Sequence, residues 1–326
     1  MNAVTIGLII TYRCNAACEM CCNDSGPHRT EDMSSDDAMK YIKQANDLGI
    51  KRACITGGEP FLFFDKLTEI ARYCRKMEIF LGSLTNAYWA ITEPVANEKL
   101  KQAKNYGLSE IVVSTSDYHR NFIPLERVRN CINAALCNDM LLELRVLVGT
   151  NTKKLKDYVD ELGISLSENK ISVREYPLSP VGRGISLDPM GFKYNATDCN
   201  CTSIFRQPVI EPSGDLYVCC GVGYKNKQLL LGNLKQEDLA SLLQKAKDEP
   251  LYNAISMFGP FSIARMVAED GNNNLEFNEK KFTDICHACN QLLNNERNFE
   301  IVSKTIDKRA KEILGLSKVL SLDLQK

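Results

Sequence analysis

Three cysteines near the start of the chain limit its fold and chemistry more than any other feature: Cys14, Cys18 and Cys21, in the spacing C-x3-C-x2-C. An apolar, β-branched stretch over residues 4–11 precedes them and reads as a strand. A polar loop follows, and Ser34-Ser35-Asp36 then opens an amphipathic helix. The cysteines are therefore expected in a loop leaving the carboxyl end of a first strand. Three thiolates on one short loop can hold three irons of a four-iron cluster, leaving the fourth iron open to a substrate or cofactor. The competing reading is a zinc knuckle, or scattered buried thiols. A zinc site usually takes a fourth ligand from a second C-x2-C or a histidine pair, and neither lies nearby in the sequence.

A second signal, Gly57-Gly58-Glu59-Pro60, follows an apolar strand over residues 53–56. Paired glycines let a backbone approach a ligand closely, and Glu59 offers a carboxylate beside them. An ordinary strand-ending turn would use the same residues. The cysteine triplet and this stretch, in order on consecutive strands, resemble the radical S-adenosylmethionine (radical SAM) superfamily. The resemblance implies a [4Fe-4S] cluster on Cys14, Cys18 and Cys21 whose open iron chelates the amino and carboxylate groups of S-adenosylmethionine. It also implies that Gly57, Gly58, Glu59 and Pro60 contact the cofactor's amino group, and that Met20 lies against its adenine.

The 326 residues suffice for one large domain and a smaller one. With 44% hydrophobic and 25% charged residues the composition is that of a globular protein, and a net charge of -1 favours neither nucleic acid nor an anionic membrane as partner. No apolar run approaches bilayer length, and the first residues lack the pattern of a signal peptide. Fourteen cysteines without export signals point to metal or redox chemistry in a reducing compartment, hence the cytoplasm.

Strand and helix patterns alternate along the first half. Helices are expected over 36–48, 67–77, 98–106, 125–136 and 155–162, and strands over 79–85, 111–114, 141–148 and 171–176. Six such units argue an α/β fold with a parallel sheet and crossover helices. The resemblance sharpens this to a partial (β/α)6 TIM-like barrel, with its chemistry at the carboxyl ends of the strands. Asn86 closes strand three. Ser114, Ser116 and Asp117 close strand four, where the resemblance implies a serine contact to the ribose or carboxylate of the cofactor. Arg145 on strand five stands where related enzymes pair an arginine with that carboxylate. For Ser114, Ser116 and Arg145 a capped turn or surface charge is the alternative. His119 either faces the substrate or is merely solvated.

Proline and glycine cluster over 176–184, where the rhythm stops, so residues 1–184 are expected to form the barrel domain and 185–326 a second domain. Strands are expected over 207–210 and 216–220, joined by the turn Glu211-Pro212-Ser213-Gly214-Asp215. Cys201-x12-Gly214-x4-Cys219 resembles the opening half of the SPASM domain, and Cys286-His287-Ala288-Cys289 then stands alone, as in the shorter twitch variant. That resemblance implies a second, auxiliary [4Fe-4S] cluster on Cys201, Cys219, Cys286 and Cys289, with Cys199 a rival to Cys201. A zinc ribbon on the same four is the alternative. A closing helix is expected over 301–314.

Three functional readings stand. The first is a peptide-modifying radical enzyme. Cys21-Cys22, the small second domain and Cys219-Cys220 together resemble peptide epimerases that convert L- to D-residues in ribosomally made peptides. Adjacent strand residues face opposite ways, so with Cys219 on the cluster, Cys220 would be free to return a hydrogen atom. A buried structural cysteine is the alternative. The second reading is a small-molecule dehydrogenase, or a crosslinking oxidase, with the auxiliary cluster as electron acceptor. The third is a non-catalytic redox or zinc protein. Only 13 residues precede Cys14, so no fused N-terminal peptide-recognition domain is expected. The resemblance also implies an external electron donor of the flavodoxin or ferredoxin kind.

Overall fold

The structure, a computed structural model, describes residues 3–164 and 171–323, with side chains to 319. By its internal contacts the chain divides into two compact units. One, the barrel unit, comprises Thr5–Phe192 with a returning segment, Ile210–Gly214; the other comprises Met1–Val4, Lys193–Val209 and Asp215–Lys326.

The barrel unit is a βα repeat. Its elements are β1 (Ile6–Thr11), α1 (Ser35–Asp47), β2 (Arg52–Gly57), α2 (Phe64–Lys76), β3 (Phe80–Thr85) and α3 (Glu93–Tyr106), then β4 (Leu108–Thr115), a one-turn α4 (Asp117–Arg120), α5 (Leu125–Cys137), β5 (Leu141–Val148), α6 (Leu155–Leu162) and β6 (Ile171–Pro177). The strands run parallel in the order β6-β5-β4-β3-β2-β1, each beside its sequence neighbour. Helices form where caps and periodicity agree. The Ser34 side chain accepts from Asp37 N at 3.0 Å, and Ala38, Tyr41, Ile42 and Ala45 of α1 are buried. Helix α3 begins five residues before the expected 98, because Thr92 caps it and Pro94 stands in its first turn.

Side-chain alternation along the strands separates core from site. Leu8, Ile55, Leu81, Ile111, Val113, Leu144 and Val146 are all but fully buried. Thr56, Leu84, Ser114 and Leu147 instead line a cavity at the carboxyl ends of the strands. The returning segment closes a turn at Gly214, whose φ of +94° suits glycine and whose N–H donates to Glu211 O at 2.9 Å. Tyr12 Oη donates to Glu211 Oε1 at 2.7 Å, inside the barrel unit.

A two-residue β7 (Val209–Ile210) straddles the division of the chain, and in the second unit β8 (Asp215–Tyr217) pairs antiparallel with β9 (Leu230–Asn233). Six helices follow: α7 (Leu239–Lys247), α8 (Pro250–Met257), α9 (Gly259–Glu269), α10 (Ile285–Asn294), α11 (Glu296–Lys308) and α12 (Ala310–Asp323). Two expectations are corrected here. The strand expected to run to Cys220 stops at Tyr217, and a 3-10 turn begins at Gly221. The single closing helix is two, α11 and α12, separated at Arg309. No described helix is long and apolar enough to cross a membrane.

Candidate functional site

The cysteine loop starts three residues after β1 and is fixed by its own backbone. Cys14 N donates to Gly26 O at 3.1 Å, Gly26 N to Tyr12 O at 3.2 Å, and Cys21 N to Cys18 O at 3.1 Å. Cys14 and Cys18 are 8% and 7% exposed, and Cys21 is half-buried. Burial pushes the Cys14 thiol up to about 12 and that of Cys18 up to about 11. Backbone amides already point at the sulfurs: Ala16 N lies 3.5 Å from Cys14 Sγ and Ser25 N 3.4 Å from Cys21 Sγ.

Arg183, just past the barrel strands, clamps this loop. Its Nε donates to Cys18 O at 3.0 Å, Nη2 to Ser25 O at 2.5 Å and Nη1 to Asp24 Oδ1 at 2.9 Å. Its main-chain N–H adds a bond to Cys21 O at 3.1 Å. The preceding Gly182, at φ +56°, has no room for a Cβ, which would stand 2.4 Å from the carbonyl oxygens of both Cys21 and Cys22.

The glycine pair stitches β2 to the base of the same loop. Gly58 N donates to Thr11 O at 2.8 Å and Glu59 N to Arg13 O at 3.0 Å. A Cβ on Gly57 (φ +146°) would fall 2.2 Å from Thr11 O, and one on Gly58 2.1 Å from Arg13 O. The Glu59 carboxylate turns into the protein. It accepts from Phe61 N at 3.1 Å, Thr85 Oγ1 at 2.8 Å and Asn86 N at 2.7 Å, and is fully buried. Burial pushes its pKa up to about 7 against the pull of these donors. Glu59 thus braces the end of β3 and holds Asn86, whose Nδ2 donates to Asn15 Oδ1 at 3.0 Å and approaches Cys14 Sγ at 3.6 Å.

One open cavity, of about 190 Å³, collects most of the residues singled out from the sequence. Cys14, Cys18, Cys21, Met20, Gly57, Gly58, Asn86, Ser114 and His119 all line it. Glu59 and Pro60 stand behind the glycines and do not line it. Neither does Ser116, whose Oγ caps α4 by accepting from His119 N at 3.3 Å and meets His119 Nδ1 at 2.8 Å. Burial lowers the His119 pKa to about 4, so the ring is neutral at physiological pH. Arg145 also stays off the lining, pairing with Glu143 Oε1 at 2.5 Å, its guanidinium 5.2 Å from the Tyr176 ring centre. Cys22, Asn23, Ser25, Thr56 and Arg183 also line it, none of them expected there from the sequence. The repeated Cys21-Cys22 was the one signal for any of them.

A second, small cavity in the other unit, of about 30 Å³, is lined by Cys201, Cys219, Cys286 and Cys289 among apolar side chains such as Ile204, Leu229 and Ile255. Cys286 and Cys289 stand three residues apart, on one face of α10. Asp284 caps that helix by accepting from His287 N at 2.7 Å. Cys201 N donates to Ile255 O at 3.2 Å, and Gly221 N lies 3.4 Å from Cys219 Sγ. Burial pushes the Cys219 and Cys286 thiols well above their usual value, and that of Cys289 up to about 12. Cys199 and Cys220 are exposed and do not line this cavity. Cys220 stands at αR dihedrals (φ −75°, ψ −2°), so the strand-alternation argument for its direction does not apply; a bend turns Cys219 in and leaves Cys220 out. Among the described residues no three His, Cys, Asp or Glu side chains converge as ligands of a single metal ion.

Both donor sets fit iron–sulfur chemistry: cysteines gathered at a cavity, with amide hydrogens directed at their sulfurs. Residues 8–140 match the family model described as the Radical SAM superfamily. Residues 8–140 therefore form a radical SAM domain, and such a domain implies a [4Fe-4S] cluster and S-adenosylmethionine. Over 298 residues it is 22% identical to the "Putative peptide biosynthesis protein YydG" of Bacillus subtilis (strain 168), across 89% of this chain and 92% of that protein. Two solved structures share the fold. A structure of anSMEcpe with bound AdoMet aligns at a TM-score of 0.52 and 13% identity, over 96% of this chain and 99% of that one. SuiB of Streptococcus suis, bound to its precursor peptide SuiA, aligns at 0.51 and 15%, over 87% and 76%.

Proposed function

We propose that this radical SAM enzyme modifies a ribosomally made peptide, and that the modification is epimerisation of an L- to a D-residue with Cys220 as hydrogen donor. The carrying observation for the substrate class is the likeness to YydG along nearly the whole of both chains. For the reaction, support comes from an exposed thiol, Cys220, directly beside the buried Cys219.

In this reading Cys14, Cys18 and Cys21 hold the first cluster. The backbone of Gly57 and Gly58 receives the cofactor's amino group, and Asn86, Ser114 and Met20 contact the rest of it. Glu59 and Pro60 act from behind, as do Ser116 and Arg145, by holding the wall in shape. When bound there, the cluster and S-adenosylmethionine would supply the radical chemistry that removes a hydrogen atom from the substrate. The chain's own part is to position the peptide and exclude water. Cys220 then returns a hydrogen atom to the opposite face: its S–H bond breaks and a C–H bond forms. Restoring the thiol takes one electron and one proton; an auxiliary [4Fe-4S] cluster, which Cys201, Cys219, Cys286 and Cys289 would hold, would supply the electron and would itself draw on a flavodoxin- or ferredoxin-type donor in the cytoplasm.

The test is turnover of a candidate peptide in deuterated water. Epimerisation makes product heavier by about one mass unit; dehydrogenation or crosslinking makes it lighter by about two and would refute the Cys220 role. Cys220→Ala should still form 5′-deoxyadenosine but no deuterium-labelled D-residue.

A further inference from the structure

The wall of the first cavity contains a hydroxyl that no described group satisfies. Ser25 is 2% exposed, its Oγ is buried, and that oxygen has no hydrogen-bond partner among the described residues. Buried hydroxyls are normally paired, because leaving one unpaired forfeits its hydration without return. The main chain of Ser25 is fully employed. Its N–H points at Cys21 Sγ at 3.4 Å, and its carbonyl accepts from Arg183 Nη2 at 2.5 Å. The residue is therefore held at both ends, and it lines the cavity beside the third cysteine of the triplet.

A rigid, buried, unpaired donor at the rim of a three-thiol cavity points to a partner among what fills it. We propose that the Ser25 hydroxyl donates to a sulfur of the first cluster, as a positioning and potential-setting residue. The inference rests on the reading of that cavity as a cluster site. Hydrogen bonds to cluster sulfurs stabilise the reduced, more negative state and so raise the reduction potential. With Ser25 N–H already directed at Cys21 Sγ, one residue would give the cluster both a main-chain and a side-chain donor.

The test uses the full chain, reconstituted anaerobically, with Ser25→Ala and Ser25→Thr as variants. Both keep the two main-chain bonds, so the loop scaffold is preserved. The first cluster is recognised by the change in its electron paramagnetic resonance signal when S-adenosylmethionine is added. Its midpoint potential is then measured without the cofactor, alongside iron content and S-adenosylmethionine affinity. Ser25→Ala should hold the parent's iron yet show a more negative midpoint for the first cluster alone, and Ser25→Thr should restore it. An unchanged midpoint overturns the inference. An unchanged midpoint with weakened cofactor affinity overturns it in favour of a hydroxyl that serves S-adenosylmethionine. Absence of any cofactor-sensitive iron signal in the parent fails the cluster reading itself, and the inference with it.

Discussion

Replacing Arg183 by alanine tests whether the cysteine loop depends on a clamp from the far end of the barrel unit. Three side-chain bonds are lost: two from the guanidinium to the carbonyls of Cys18 and Ser25, and one to the Asp24 carboxylate. A hydrogen bond from a charged donor contributes about 1.5 kcal/mol net at the low end of its range. That end applies because the Arg183 side chain is 29% exposed. The Asp24 side chain is 56% exposed, so its ion pair adds no more than about 0.5 kcal/mol. The sum is about 3 kcal/mol, which in a unit of this size lowers Tm by about 6–12 °C. The bond from Arg183 N to Cys21 O survives the change, so the loop should loosen rather than unravel. Arg183→Lys should recover little, since an ammonium cannot reach three acceptors set around a planar fork. Anaerobic thermal melts of the reconstituted protein, with iron counted before and after dialysis, read both effects. A variant that melts within about 1 °C of the parent and retains its iron would refute the clamp.

Gly58→Ala should abolish the fold of the barrel unit, because its Cβ would stand 2.1 Å from Arg13 O with only backbone to give way; circular dichroism of soluble protein checks this. His119 has a native pKa lowered to about 4 by burial, against about 6.5 unfolded. Its contribution to stability is therefore full above pH 6.5 and lost as pH falls toward 4. Urea melts at pH 7 and pH 5 should differ less in His119→Asn than in the parent. Changing Cys14, Cys18 and Cys21 together to alanine should leave about four irons per chain, as should changing Cys286 and Cys289; loss of all iron, or of none, would sink the two-cluster reading.

The parts of the site legible in the sequence were those written in local spacing. Cys14, Cys18 and Cys21 share one loop, and Gly57-Gly58 sits at one strand end, so each declares itself within a few residues. Arg183 and Ser25 do not. They meet only after the chain has returned through six βα units, and nothing around Arg183 distinguishes it from a surface arginine. The capping role of Ser116 was written in local terms, as a serine three residues before the amide it accepts. Arg145 and Glu143 are likewise two apart on one strand face, which is enough to expect their pairing. The six parallel strands announced themselves as apolar runs between helices. Helices α8 and α9 went unread because they are apolar around most of their circumference, burying Leu251, Tyr252, Ala254 and Ile255 in sequence. Beyond Tyr217 the apolar run continues into Val218 and Cys219 although the strand does not, and sequence pattern cannot distinguish a buried bend from a buried strand.

The hydrogen bonds from Gly58 and Glu59 to Thr11 and Arg13 have a consequence for how such a chain can change over generations. The cysteine loop and the glycine pair, far apart along the chain, share a single backbone seam with no space between them for even one methyl group. They are one heritable part carried on two stretches. An alteration to either stretch must be answered in the other. The segment between them is under no such obligation at its surface, and can drift, lengthen or acquire new partners while the seam stays shut.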